Sequence, residues 1–358
     1  MEKEVLLSVQ NLQQYFKSGR FETKAVDGVS FDVYKGEVFG VVGESGCGKT
    51  TTGRSIIRLY DITGGSVYYK GERICAGTRS YTDAIQKARK DYKEQKITKE
   101  ELDKIVALNR EEIKKAKADH KRWSRAKGQN ALTNEIQMIF QDPISSLDPR
   151  MTVRDIIAEG LIVRGVKDKE YIDQQVYKML ETVGLVQEHA SRYPHEFSGG
   201  QRQRIGIARA VIVNPELIIA DEPISALDVS IQAQVINLLN ELSEKMGLTI
   251  MFIAHDLAVV KYFSNRIAVM YFGKIVELAT SEELFAHPCH PYTRSLLSAI
   301  PLPDPISEKG RTRIEYKPVL DHDYSKEGPT MREIFPGHFV SCNTEEMERY
   351  LAEYGQNA

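Results

Sequence analysis

Val38-Phe39-Gly40-Val41-Val42 runs without a break into Gly43-Glu44-Ser45-Gly46-Cys47-Gly48-Lys49-Thr50, and the fold turns on this stretch. The first five residues are apolar or small and do not alternate, which reads as a strand covered on both faces. The next eight match G-x-x-x-x-G-K-[ST] between that strand and a predicted helix, the context the motif requires. Its glycines let backbone N–H groups turn inward around phosphate oxygens, and the helix behind them presents its positive end. In that arrangement Lys49 reaches the β- and γ-phosphates of a nucleotide and the Thr50 hydroxyl is placed on Mg2+. Cys47 occupies a variable position of the loop, and no redox role is expected of it.

Two more apolar runs, Leu217-Ile218-Ile219-Ala220 and Thr249-Ile250-Met251-Phe252-Ile253-Ala254, have the same buried-strand character, and each ends at polar residues. Ligands of open α/β sheets bind at the carboxyl ends of the strands, so the three ends point to one site. Asp221 is suited to hold Mg2+, and Glu222, one residue on, to orient or deprotonate an attacking water. His255 closes the third strand and is expected to contact the γ-phosphate while positioning Glu222 or the water. Gln141, after Ile136-Gln137-Met138-Ile139-Phe140, can approach both the metal and the water.

Around this core the patterning changes. Val5 to Tyr34 and Ser66-Val67-Tyr68-Tyr69 alternate as an antiparallel layer does, and Met151 to Leu185 has helical periodicity. From about Ala76 to Thr133 the chain is dense in charge with Lys and Arg in excess. Ser80-x-x-Asp83 and Thr98-x-x-Glu101 fit helix caps there, and Tyr81, Ile85, Ala88 and Tyr92 share one face. The segment reads as a charged helical hairpin inserted into the core, either solvated or serving to dock a partner or anionic lipid. Past Ala279 the chain reads as a Pro-rich, irregular extension.

With 358 residues, 42% hydrophobic and 27% charged, a sizeable core is within reach, and a net charge of −2 argues against bulk electrostatic binding of nucleic acid. No apolar run is long enough to span a bilayer, and the N-terminus lacks a secretory h-region. Cys47, Cys75, Cys289 and Cys342 form no CxxC pair and are expected as free thiols in a reducing compartment.

Phe197-Ser198-Gly199-Gly200-Gln201, followed by Arg202-Gln203-Arg204-Ile205-Gly206, opens a second helix with no acid in its first turns, hence a second anion-binding terminus. One glycine-rich phosphate loop with two phosphate-reading elements implies a head-to-tail dimer in which this element covers ATP on the other subunit. With this motif the sequence resembles the ABC transporter ATPases from about Val5 to Ala279, the insertion apart. The resemblance implies an α/β fold: a P-loop NTPase core with a parallel sheet, an antiparallel β subdomain and a helical ABC subdomain at about 143–205. To these are added the charged helical insertion, about 76–133, and a C-terminal extension, 280–358. It also implies ATP and Mg2+ as cofactors, with Tyr15 stacking on adenine and Gly43, Glu44, Ser45, Gly46, Cys47, Gly48, Lys49, Thr50 and Thr51 around the phosphates. Ser198, Gly199, Gly200 and Gln201 reach the partner's nucleotide, Thr50, Gln141 and Asp221 the metal, and Ser225-Ala226-Leu227-Asp228 forms the D-loop. Phe197 stands where Leu is commoner.

Met138-Ile139-Phe140-Gln141-Asp142-Pro143, Tyr193-Pro194-His195-Glu196-Phe197, and His287-Pro288-Cys289-His290-Pro291-Tyr292-Thr293 through Pro305 are similar to the oligopeptide/dipeptide importers, and to the F member of their D/F ATPase pair. That implies peptide uptake powered by ATP hydrolysis. The chain would lie at the cytoplasmic face of the membrane, beside a D-type ATPase subunit in a head-to-tail heterodimer. Two membrane permease subunits would hold the pair, with an extracytoplasmic substrate-binding protein acting indirectly and no nucleic acid involved. The alternatives are a soluble non-transport ABC ATPase, a catalytically silent regulatory partner, and an importer of nickel, antimicrobial peptides or oligosaccharide. The insertion departs from the common pattern, as does the loss of the cysteines upstream of Cys342. No iron–sulfur cluster is expected in the extension, nor a metal at His287, Cys289 and His290.

Overall fold

The computed structural model describes residues 3–125, 132–300 and 313–354. The readings on 126–131 of the insertion and on the 301–305 proline run lie outside them. The strands β3 (Val38–Val42), β6 (Ile136–Ile139), β7 (Leu217–Asp221), β8 (Thr249–Ala254) and β9 (Arg266–Tyr271) stand in the order β9-β3-β8-β7-β6, all parallel. Register brings Val42 beside Ala254 and Ala220 beside Phe252, so the polar residues that follow emerge along one edge. Every residue of β3, β7 and β8 is buried, as their unbroken apolar character requires.

The sheet buries both faces. Phe39, Val41, Ile219 and Ile253 pack with Leu7, Val9, Leu12 and Val26 of the antiparallel layer, which runs β2 (Phe21–Tyr34), β1 (Val5–Ser18), β4 (Gly64–Tyr69), β5 (Glu72–Ala76). The helix α1 (Lys49–Ile56) lies between the two sheets and gives Ile56 to this core. On the opposite face Val42, Ile218 and Phe252 meet the helical layer. There α5 (Val153–Val163), α6 (Lys169–Thr182) and α7 (Gly199–Val211) bury Ile156, Ile157, Val176, Leu180, Ile205 and Ile207. Residues such as Phe39 and Phe252 each contribute about 1.5–3 kcal/mol by leaving water. The remaining helices of this half are α4 (Pro143–Ser146), α8 (Val229–Met246) and α9 (Leu257–Phe263).

The insertion is a hairpin of α2 (Arg79–Lys93) and α3 (Lys99–Arg125). Thr98 and Glu101 form the expected reciprocal cap at the start of α3. The Ser80 cap is a misreading: Thr78 precedes the first residue of α2 and its side chain makes no cap bond. Nor is the hairpin merely solvated. Ile85, Ala88 and Ala116 are buried, Trp123 Nε1 donates to Arg73 O at 3.2 Å, and the Arg73 guanidinium lies 2.7 Å from Asp119 and 3.6 Å from Glu112. Tyr92, expected on the packed face, is exposed.

The extension is also more regular than its composition suggests. After β10 (Lys274–Thr280), α10 (Ser281–Ala286) and α11 (Pro291–Ser298), the hairpin β11 (Thr330–Phe335) and β12 (His338–Cys342) lengthens the main sheet as β11-β12-β10-β9, antiparallel throughout. A helix over Thr344–Tyr354 covers it with Tyr350.

Candidate functional site

The glycine-rich loop is shaped by what surrounds it. A Cβ on Gly43 would lie 2.2 Å from Met270 O, and one on Gly48, whose φ is 106°, would lie 2.2 Å from Ala25 O. Only glycine lets the loop nest between β9 and β2. Gly273 N–H donates to Cys47 O at 2.8 Å and fixes the loop from the β9–β10 turn. The arm Glu44–Gly46 is exposed, while Cys47, Gly48 and Lys49 are buried, and burial pushes the Cys47 thiol pKa up.

Four side chains meet at the strand ends. Glu222 follows β7 with a left-handed backbone, φ 44°, and its N–H donates to Ile253 O at 3.0 Å, which ties the turn to β8. A non-glycine residue in that region costs about 1–3 kcal/mol and persists only where the surroundings enforce it. Its carboxylate accepts from Gln141 Nε2 at 3.0 Å, lies 3.4 Å from His255 Nδ1 and 3.9 Å from Lys49 Nζ. Lys49 Nζ meanwhile donates to Gly43 O at 2.8 Å and Glu44 O at 2.9 Å. Lys49, 3% exposed, is thus held by its own loop's carbonyls. Beside Glu222 and His255 is a cavity of about 30 Å³, also lined by Ser225, Gln232 and Asp256. Its size is that of roughly one water molecule.

Asp221 is completely buried and accepts from the Thr50 hydroxyl at 2.7 Å. Burial raises its pKa, against the Thr50 bond and the Arg54 charge, and among the described residues its Oδ2 has no hydrogen-bond partner, only Arg54 Nη2 at 4.0 Å. A buried carboxylate oxygen left open beside a hydroxyl is a hard-oxygen donor set, which fits Mg2+. The exposed Gln141 is bonded to the neighbouring Glu222.

Ser198 stands at the N-cap of α7, where its Oγ accepts from Gln201 N–H at 3.4 Å and Gln201 Oε1 accepts from Ser198 N–H at 3.0 Å. Gly199 and Gly200 pack toward Leu227 and Ile231. Among the described residues these four make no bond to Gly43–Thr51, so the structure gathers the loop, Gln141, Asp221, Glu222 and His255 but leaves the second terminus outside the group. The Tyr15 hydroxyl is bound to Asp27, and Lys24 and Arg79 each lie 5.2 Å from its ring centroid, whereas the neighbouring Phe16 is 39% exposed and meets Tyr60 edge-on. The sequence reading gave no part in the site to Tyr292, whose hydroxyl accepts from Glu44 N–H at 2.9 Å across 248 positions of chain.

The tempting trio His287, Cys289 and His290 does not converge. His290 Nδ1 caps α11 by accepting from Tyr292 N–H, and His287 bonds Glu283. Instead Cys289 shares a buried group with Glu277 and His338. The Glu277 carboxylate is bonded by Cys289 N–H at 2.8 Å, His290 N–H at 3.0 Å and His338 Nε2 at 2.8 Å. Burial raises the pKa of the Cys289 thiol and pushes that of Cys342 up to about 11.

Comparison with known proteins gives a consistent picture. Residues 26–225 match the family described as ABC transporter, and residues 276–327 that described as Oligopeptide/dipeptide transporter, C-terminal region. The chain is 53% identical over 350 residues to the oligopeptide transport ATP-binding protein OppF of Bacillus subtilis (strain 168), covering 97% of this chain and 99% of that one. It is 47% identical to the dipeptide transport ATP-binding protein DppF of Lactococcus lactis subsp. cremoris (strain MG1363), covering 98% and 97%. A solved dimeric ATP-binding cassette in a post-hydrolysis state with ADP and Pi superposes with a TM-score of 0.57 at 25% identity, over 77% of this chain and 99% of that one.

Proposed function

The chain belongs to the ABC transporter family, in its oligopeptide/dipeptide branch, and from that premise we propose how its site works and with whom. It is an ATP-binding and ATP-hydrolysing subunit of an ABC importer. The observation that carries the mechanism is the Glu222 carboxylate, held at once by Gln141, His255 and Lys49 from three other segments of the site.

ATP enters with its phosphates against N–H groups of the Gly43–Thr51 loop other than that of Glu44, which Tyr292 holds, and Lys49 exchanges the carbonyls of Gly43 and Glu44 for phosphate oxygens. Thr50, Asp221 and Gln141 would hold Mg2+, which would supply charge neutralisation at the phosphates. Glu222 takes up a proton from water in the adjoining cavity as the water oxygen bonds to the γ-phosphorus and the bond from that phosphorus to the bridging oxygen breaks, releasing ADP. His255 and Gln141 keep the Glu222 carboxylate aimed at that cavity. Either Tyr15, once Arg79 or Lys24 leaves its ring, or the exposed Phe16 stacks on adenine.

Ser198, Gly199, Gly200 and Gln201 are assigned to the nucleotide of a second, D-type ATPase subunit in a head-to-tail heterodimer. Their separation from this chain's own loop supports that assignment, as does the dimeric state of the solved cassette. The cargo is peptide, after the relatives' names. No helix among the described residues is long and apolar enough to cross a membrane. Attachment at the cytoplasmic face therefore goes through two permease subunits, to which an extracytoplasmic binding protein delivers cargo. A groove of about 580 Å³ lined by Leu59, Trp123, Phe140 and Val163, and also by Glu159 and Arg209, suits an amphipathic permease segment, and Phe140 precedes Gln141.

Trapping labelled nucleotide separately on each ATPase of the assembled importer in vesicles, alongside uptake of labelled peptide, tests this reading. Ser198→Arg is expected to impair the site whose loop lies in the partner by roughly 10²- to 10³-fold in turnover, the scale for losing an anion-stabilising donor set. Lys49→Ala impairs the site on this chain. Loss confined to this chain's own loop in Ser198→Arg would refute the head-to-tail arrangement.

A further inference from the structure

We propose that Tyr292, in the extension beyond the core, is a positioning residue for the ATP-binding loop, so that the extension sets this subunit's affinity for nucleotide. The inference rests on the loop's holding ATP. Its carboxyl-side half is fixed by packing: Gly48 against Ala25 O, Cys47 O bonded to Gly273 N–H. The arm Glu44–Gly46 is exposed, and its remaining bonds are internal, from Lys49 Nζ and Cys47 N–H to Glu44 O. Among the described residues no side chain from outside the loop bonds this arm except Tyr292, whose hydroxyl accepts from Glu44 N–H at 2.9 Å. A loop that binds phosphate through backbone N–H groups gains affinity when those groups are ordered beforehand, because the ordering cost is already met in the free protein.

Tyr292 itself is rigidly held. It is 1% exposed, and its ring centroid lies 4.5 Å from that of Tyr271 and 5.5 Å from that of Tyr316. Its backbone N–H is capped by His290 Nδ1 at 3.1 Å, and His290 and Cys289 are fixed through their own N–H groups by the buried Glu277 carboxylate, which His338 of β12 also bonds. A hydroxyl anchored through four side chains to the sheet's added edge therefore ends on Glu44 N–H, the first of the three backbone donors of the loop's free arm. Burial raises the phenol pKa, so the group stays neutral and cannot repel an approaching phosphate.

Tyr292→Phe keeps the ring and its stack and removes only the hydroxyl. One neutral hydrogen bond accounts for a roughly 2- to 12-fold change in an equilibrium constant. The expected result is a rise of that size in Kd for a fluorescent ATP analogue on the full chain. In the assembled importer a matching rise in KM for ATP should appear with kcat unchanged, the signature of lost ground-state binding. Tyr316→Phe is the comparison, since Tyr316 belongs to the same stack but its hydroxyl goes to His322 at 2.9 Å, away from the loop. An unchanged Kd in Tyr292→Phe, or an equal rise in Tyr316→Phe, would overturn the proposal. Wild-type binding of the analogue in the same titration reports on the ATP site independently.

Discussion

Glu222→Gln separates the chemical role of this carboxylate from its structural one. Glutamine has the same length and no β-branch, so it meets the same left-handed backbone cost at φ 44° and leaves the turn after β7 in place. Its amide oxygen still accepts from Gln141, now 3.0 Å from the carboxylate. What disappears is the basic oxygen at the cavity and the negative charge 3.9 Å from Lys49 Nζ. Loss of a general base lowers turnover by about 10²- to 10⁴-fold, which corresponds to about 2.7–5.4 kcal/mol in the barrier. ATP affinity is expected to stay the same or improve, because a negative charge is removed from beside the phosphates. The assay is phosphate release by the assembled importer with the partner's own carboxylate disabled, together with nucleotide binding by the variant. Turnover within about tenfold of wild type, outside the range expected for a general base, would refute the role. A loss of ATP binding would show instead that Glu222 is structural.

The extension and the insertion each give a further outcome. His338 has its pKa raised: burial opposes the charge, but bonds to Glu277 and Glu283 outweigh it, and His287 and Cys289 complete its surroundings. A raised folded-state value means the stabilisation is full below the unfolded value and is lost as pH rises through the folded one. Protection of the β12 amides from hydrogen exchange, corrected for intrinsic rate, should therefore fall with pH above about 6.5, and His338→Phe should abolish that dependence. Trp123→Ala should loosen the hairpin from β5 by about 2 kcal/mol, below the roughly 3–5 for a fully buried Trp. The expected readout is faster proteolysis within 79–125 with unchanged ATP binding; equal proteolysis would show that the Trp123 contact contributes nothing.

Much of the core was legible because local pattern and tertiary environment agree there. The runs at Val38, Leu217 and Thr249 lack alternation because both faces are covered, and the glycines of the loop are fixed by contacts that exclude a Cβ. Thr98 and Glu101 were legible as a cap because the signal lies within four residues. Ser80 misled because the pattern recurs inside a first turn: the chain enters α2 at Thr78 already near helical angles, φ −107° and ψ −4°, where a side-chain cap is not formed. The added strands were obscured by their brevity, although Gly337, at φ 77°, closes the β11–β12 hairpin and the alternation of His338, Val340 and Cys342 as buried residues was present. Nothing local could reveal that Tyr292 reaches Glu44.

The same contacts explain why the extension is part of the machine's frame. Without it β10 would be the edge of the main sheet, a row of open N–H and C=O groups. β12 closes that row by pairing Glu277 with Val340 and Leu278 with Phe339. Closing it buries the Glu277 carboxylate completely, and a buried charge demands partners. They come from β12 through His338 and from the turn before α11 through Cys289 and His290, the turn that aims Tyr292 at the loop. On its other side β10 pairs with β9, where Met270 O confines Gly43 and the turn at Gly273 holds Cys47 O. The ATP-binding loop is therefore braced on one side by the β9–β10 hairpin and on the other by Tyr292, and both braces rest on β10. Removing the extension would unpair the strand that supports them, so the Gly43 and Glu44 end of the loop should loosen before the Gly48 end, which Ala25 of β2 confines independently.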